Sequence, residues 1–207
     1  FLGNAKFDYK LHFFPDITAT VNLGIDKSNG KGRVITSQYL SSSLNNWNGS
    51  RYDYSEEKTN KLFDAYLTYT KSVNDKHNIN AVVGYSYQSF NTRFNDYDTE
   101  EFEDGNNPIS INLNKEVLLS YFGRLNYDFD GRYLVTATLR ADASSKLNPK
   151  DRWGYFPSVA LAWNVANEDF MENSFFDDLK LRVGYGEIGN VNGLGNYLYL
   201  TRYTAST

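Results

Sequence analysis

Gly184-Tyr-Gly-Glu-Ile-Gly189 spells G-x-G-x-x-G, the pattern with which a strand–turn–helix unit cradles a dinucleotide pyrophosphate. That chemistry needs a helix N-terminus directly after the third glycine. Asn190-Val-Asn-Gly-Leu-Gly-Asn196 cannot start a helix, so the glycines read as a strand running out into a loop. Asp96, Asp98, Glu100, Glu101, Glu103 and Asp104 form an acidic run whose carboxylates could take calcium. Their spacing is not that of an EF-hand, of which Asp26-Lys-Ser-Asn-Gly30 is only a partial echo, and the run reads as a solvated loop face. His12 and His77 each stand alone beside a predicted turn, whereas a metal wants clustered ligands. Both read as structural or interfacial, and no metal site is expected. No serine, histidine and acid follow one another with a nucleophile elbow, and Ser41-Ser42-Ser43 is loop composition. Carboxylates are too plentiful for any two to be singled out as a glycosidase pair. The residues therefore predict neither an enzyme nor a cofactor. What is left is a binding hint: Trp47, Tyr52 and Tyr54, in a polar stretch, could stack on sugar rings.

The elements that must carry these residues are β-strands. Ala5, Phe7, Tyr9, Leu11 and Phe13 alternate with Lys6, Asp8, Lys10 and His12, as a strand with one apolar face requires. Pro15-Asp16 turns the chain, and Ile17, Ala19, Val21, Leu23 and Ile25 resume the pattern. Phe63, Ala65, Leu67 and Tyr69 lead through Asn74-Asp75-Lys76 to Ile79, Ala81, Val83, Tyr85 and Tyr87. In the clearest hairpin Leu119, Tyr121, Gly123, Leu125, Tyr127 and Phe129 share one parity. Ser120, Arg124, Asn126 and Asp128 share the other, with Phe122 among them. Asp130-Gly131 suits a two-residue type I′ turn, where both central residues need positive φ. Tyr133, Val135, Ala137, Leu139 and Ala141 return, with Leu134 the one apolar residue opposite them. Trp153, Tyr155, Val159, Leu161, Trp163 and Val165 form a seventh strand, in which Pro157 predicts a bulge. A connection at 167–178 has room for a short helical turn before Leu179, Leu181, Val183 and Tyr185.

This makes eight strands in four hairpins. The turns within hairpins are short, and the connections between them are long and polar, near 27–60, 91–115, 143–152 and 187–207. Short turns alternating with long loops are the topology of outer-membrane barrels, whose strands of about 10 residues expose only alternate side chains to lipid. Composition agrees. Of 207 residues, 17 are Tyr, 14 Phe and 3 Trp, while mean hydropathy is only -0.57 and no apolar run approaches a membrane helix. Phe13, Phe14, Tyr69, Tyr127, Phe129, Tyr133 and Trp163 gather near the short turns, as one interfacial girdle would. A net charge of -4 with no basic patch excludes nucleic acid as an expected partner, and the absence of cysteine excludes disulfides. The chain opens Phe1-Leu2-Gly3 and closes in a polar stretch, and reads as a segment of something longer.

Tyr121-Phe-Gly-Arg-Leu-Asn-Tyr-Asp-Phe-Asp-Gly-Arg-Tyr133 and its continuation to Ser145 resemble the SusC/RagA family of TonB-linked outer-membrane proteins of Bacteroidetes. So do Arg152-Trp-Gly-Tyr-Phe-Pro-Ser-Val-Ala-Leu-Ala-Trp163, Leu179 to Asn190, and Gly195-Asn-Tyr197. The residues carrying the likeness are Gly123, Arg124, Asp130, Gly131, Arg132, Tyr133, Arg140, Asp142, Trp153, Gly154, Phe156, Pro157, Gly189 and Asn190. Phe13-Phe-Pro-Asp16 and Val83-Gly-Tyr-Ser-Tyr-Gln88 fit it more loosely. The resemblance implies an all-β fold, an antiparallel transmembrane segment of a larger 22-stranded barrel. It also implies outer-membrane lipid around the barrel, a SusD-like lipoprotein over it, TonB acting through a plug region absent from residues 1–207, and oligosaccharide or peptide as cargo. On the polar parity, Arg124, Arg140 and Arg182 would then pair with plug carboxylates or with Asp128 and Asp142. Two other readings stay open on the residues alone: a soluble β-sandwich module binding carbohydrate, and a complete eight-stranded barrel.

Overall fold

A computed structural model describes residues 1–36, 50–97, 108–172, 175–191, 193–196 and 199–200. The strands are β1 (Leu2–Lys10), β2 (Ile17–Thr36), β3 (Ser50–Val73), β4 (His77–Tyr97), β5 (Pro108–Phe129), β6 (Tyr133–Ser144), β7 (Trp153–Asn164) and β8 (Lys180–Gly186). They form one antiparallel sheet in chain order, with β1 and β8 at its edges. Two 3-10 turns, Val165–Asn167 and Asp169–Met171, occupy the connection before β8, in the place that has room for a short helical turn.

The turns follow from their residues. Asp130 and Gly131 both have positive φ (55° and 65°), the geometry a type I′ turn demands. The Asp128 carboxylate accepts the Gly131 N–H at 2.9 Å and secures the corner. Asn74 and Asp75 adopt the same conformation (52° and 55°), which short polar side chains tolerate best after glycine.

Strands β2 to β5 are 20, 24, 21 and 22 residues long, about twice the expected length. They run on into 27–36, 50–60, 91–97 and 108–115, all of which read as loop. The reason is physical. An extension whose buried positions are themselves polar, such as Asp53, Ser55 and Asn95, needs no apolar alternation, so its Ser, Asn and Gly content imitates a loop. Pro157 is also placed differently from expectation. It sits opposite Leu139 in an unbroken β6–β7 register, with no bulge. The β7–β8 ladder ends one residue later, at Ser158 and Gly186, and beyond that end Pro157 only accepts a bond, from Glu187 N at 3.0 Å. The missing N–H thus faces a place where no ladder bond is required.

The chain divides into two compact units. One comprises residues 1–3, 24–61 and 89–116. In it Asp53 is wholly buried and takes a 2.6 Å bond from Arg33 Nε. Asn95 donates to Ser55 Oγ at 3.0 Å, and Ser55 meets Tyr97 Oη at 3.1 Å. The other comprises residues 4–23, 62–88 and 117–207 and holds all four hairpin connections. There the burial order of a soluble protein is inverted. Among the described residues of the whole chain, only Ala143 and Val165 are buried apolar side chains, while Thr20, Ser86, Ser120 and Ser144 are buried polar ones. Leu125, Leu161 and Val183 stand 46, 49 and 68 % exposed. A sandwich would seal these residues against a second layer, and among the described residues no such layer covers them.

Candidate functional site

The working surface is the sheet of the second unit, and its two faces are set by register. Residues directly opposite in an antiparallel ladder share a face. Phe129, Tyr133, Trp163 and Leu181 make one row across β5 to β8. Tyr127, Val135, Leu161 and Val183 make the next, followed by Leu125, Ala137, Val159 and Tyr185. Beyond them lie Gly123, Leu139 and Pro157, then Tyr121, Ala141 and Tyr155. This face is apolar and exposed, and aromatic rings lie at both of its ends.

At the short-turn end, His77 packs on Phe129 at 5.0 Å, and Phe129 stacks near Tyr133 at 6.4 Å. His77 Nδ1 lies 2.7 Å from Tyr127 Oη, and His12 sits against Phe13 at 3.5 Å, so both histidines lie among aromatic rings. At the far end a second row runs Phe63–Tyr85–Tyr121–Trp153, with centroids 6.2, 5.2 and 5.8 Å apart. Tyr121 and Trp153 reach each other across β6 because Ala141 and Ala143 lie between them. From Tyr133 to Ala141 or Ala143, at about 3.4 Å per residue and a barrel tilt near 40°, the rows stand about 21 to 26 Å apart, against ~25 Å for the apolar band of outer-membrane barrels. Sequence patterning alone picks out only the first row. A signal for the second is present all the same: Trp153 and Trp163 share a parity and bracket Val159 and Leu161.

The opposite face is a run of hydrogen bonds between strands. Asn4 donates to Asn22 at 3.0 Å, Asn22 to Asp64 at 3.1 Å, and Ser86 to Asp64 at 2.6 Å. Nearer the turns, Asn80 donates to Thr70, Asn126 to Asn80 and Thr136 to Asn126, at 3.0 to 3.2 Å. Such a face is stable against water or protein and costly against hydrocarbon. Of the expected pairs, Arg140 and Asp142 meet at 2.7 and 2.8 Å, with Ser120 Oγ also accepting from Arg140. Arg124 instead bonds Thr138 at 3.3 Å, since Asp128 is committed to the turn.

Several resemblance residues converge on this polar side. A cavity of about 220 Å³ is lined by Arg140, Asp142, Gly154, Phe156, Gly189 and Asn190, among others. The Phe156 ring explains the two glycines. A Cβ on Gly154 would lie 2.6 Å from its Cζ, and one on Gly189 2.2 Å. Gly123 and Arg124 lie elsewhere on β5, while Trp153 and Pro157 belong to the apolar face. β8 ends at Gly186, and no helix follows it among the described residues.

Asp130, Gly131, Arg132 and Tyr133 cluster at the β5–β6 turn around a residue that sequence patterning does not single out. Glu168 accepts Tyr133 Oη at 2.7 Å, Trp163 Nε1 at 2.8 Å and Arg132 at 3.2 Å. Donation from Tyr133 and then Trp163, with the nearby Arg132 charge, holds its carboxyl below the usual glutamate range. Residues 35 positions apart give no sequence signal for such a clamp.

In the first unit Tyr54 is stacked between Tyr52 (5.7 Å) and Phe94 (5.5 Å), and its ring fills the space above Gly32. Tyr52 remains 40 % exposed and donates to Asp96. Trp47 and the acidic run from Asp98 to Asp104 lie outside the described residues.

Comparison with known proteins gives a consistent result. The profile of a family described as TonB dependent receptor-like, beta-barrel, matches residues 2–206. TonB-dependent receptor SusC of Bacteroides thetaiotaomicron is 34 % identical over 214 residues, covering 100 % of this chain and 21 % of SusC. TonB-dependent receptor P3 of Formosa agariphila is 38 % identical over 145 residues, covering 64 % of this chain and 14 % of P3. The structure of the RagAB peptide transporter has the same fold, with a TM-score of 0.75 at 21 % identity, covering 100 % of this chain and 25 % of that one. The chain thus spans a quarter or less of the length of these relatives.

Proposed function

This chain belongs to the TonB-dependent receptor-like β-barrel family of outer-membrane proteins, and from that membership we propose that it is wall of an importer for oligosaccharide or peptide. Members of the family are receptors and transporters, not enzymes. The carrying observation is the two-faced sheet, with an apolar band between aromatic rows on one side and polar ladders on the other. Hydrocarbon meets the first face, and a plug region or water the second. The ends of the strands away from the hairpin turns face the cell exterior, where Trp47 and the β3 residue Tyr52 contact cargo. Tyr54, enclosed by two rings, supports Tyr52 and makes no contact of its own. A SusD-like lipoprotein caps this side, and TonB supplies energy through the plug region. Oligosaccharide and peptide are the cargo classes that the family resemblance implies, and a peptide transporter shares the fold.

The test pairs purification of the full-length protein from outer membranes in mild detergent with uptake of labelled oligosaccharides and peptides by intact cells that carry it. The reading expects a lipoprotein to co-purify and uptake of one cargo class to stop when the proton gradient is dissipated. A protein that purifies alone, with cargo entry indifferent to the gradient, would contradict it.

A further inference from the structure

The connection from β7 to β8 differs from the other three hairpin turns. Residues 11–16, 74–76 and 130–132 are compact corners, whereas 165–179 is fifteen residues long. It is not a slack loop. Ala166 N–H bonds Leu179 O at 3.2 Å and closes its base. Asn167 Nδ2 and Asn164 Nδ2 both donate to Gly131 O, at 3.0 and 3.2 Å, pinning it to the β5–β6 turn. Arg132 reaches Asp169 at 2.9 Å as well as Glu168. The Glu168 carboxylate sits over the tips of Tyr133 and Trp163, two members of the apolar face's end row. The first half of the connection is therefore laid against the girdle on the side that meets lipid.

Beyond that tether come three exposed phenylalanines. Phe170 is 70 % exposed, Phe175 95 % and Phe176 56 %, the last two in edge-to-face contact at 5.9 Å. Three exposed aromatics within seven residues, continuous with a girdle, are costly in water and suit the boundary of headgroups and acyl chains. Glu172, Asp177 and Asp178 lie in the same connection. Their charge disfavours an anionic membrane surface and is tolerated by a zwitterionic one.

We propose that residues 165–172 and 175–179 form an aromatic foot, held to the girdle by Glu168 and Arg132, whose Phe170, Phe175 and Phe176 bed in the zwitterionic headgroup zone of the leaflet on the short-turn side. The foot fixes how deeply this edge of the wall sits. It rests on membrane placement alone, and its test reads depth instead of transport, so it stands or falls separately from the cargo reading.

The experiment places a single cysteine at Phe175 (F175C) in the full-length protein, other cysteines removed, labels it with a polarity-sensitive fluorophore and reconstitutes it in phosphatidylcholine nanodiscs. Phe175 is almost fully exposed, so the variant folds as the parent does. Lys150→Cys, on the exposed β6–β7 connection, is the aqueous control. The foot predicts at least twofold quenching of the label at 175 by shallow-brominated lipid, little quenching by aqueous iodide, and the reverse at 150. Iodide quenching at 175 equal to that at 150 would overturn it by placing the residue in water. Shielding from both quenchers would overturn it equally, since protein would then be the cover.

Discussion

Strand β2 is regular from Ile17 to Thr36, yet its two halves look unlike each other in sequence. From Ile17 to Ile25 apolar and polar residues alternate strictly, whereas from Lys27 to Arg33 charged, small and polar residues follow without period. The same change divides β3, where Phe63, Leu67 and Tyr69 alternate with Asp64 and Thr68 but Asp53, Ser55, Glu56 and Glu57 do not. The patterned stretches up to Leu23 and from Leu62 belong to one compact unit, and Gly24–Lys61 belongs to the other. Alternation therefore records a difference in solvent between two faces, not the presence of a strand. Where one face meets hydrocarbon and the other a polar interior, each residue is constrained by its parity. Where the buried positions are themselves polar, as at Asp53, Ser55 and Asn95, ladder hydrogen bonds hold the strand and no apolar alternation is imposed.

The largest predicted effect tests this contrast directly. Leu161→Arg, in the middle of the apolar face, should destabilise the assembled barrel by about 2–4 kcal/mol, the cost of a cation near the bilayer midplane. Val34→Arg, at an exposed position in the unpatterned half of β2, should change stability by no more than about 0.5 kcal/mol. Urea unfolding of the full-length protein in bilayers measures both, and equal losses would erase the distinction between the halves.

A smaller loss is expected on the polar face. Gly154→Val would drive a side chain into the Phe156 ring, an overpacking that costs about 1–3 kcal/mol. Phe156→Ala in the same chain should recover part of that loss, because the ring is the obstacle. Strict additivity in this double-mutant cycle would mean that the glycine is required for some other reason.

The smallest effect is a pH dependence at the turn end. Glu168 is held below the ordinary glutamate range, so its contribution is complete above that range and fades as pH falls through the lowered value. Wild-type and Glu168→Gln thermal midpoints should differ most above the range and converge below it. A difference that grows with acidity would have the wrong sign.

The same contrast separates what the amino-acid order makes legible from what it hides. The hairpins are legible because Asp130-Gly131 and Asn74-Asp75 are local chemistry, and the apolar face is legible because parity is local too. The full reach of β2 to β5 is not, since a strand that is polar even at its buried positions resembles a loop. The position of Pro157 depends on where a neighbouring ladder stops, which no single strand encodes. The cavity joining Arg140, Gly154 and Gly189 draws on three distant segments. Family resemblance brings those residues into view, and only register and ring contacts supply a reason for two of them.

The proposed role as importer wall depends most on which solvent touches each side of β6. Spin labels placed singly from Leu134 to Leu139 in the full-length protein in bilayers report it, through collision with lipid-soluble oxygen and with a water-soluble nickel chelate. Oxygen accessibility should peak at 135, 137 and 139 and fall at 134, 136 and 138, with the nickel reagent never exceeding oxygen at the odd positions. Peaks at Thr136 and Thr138, or a flat profile, would show that the apolar face does not meet lipid.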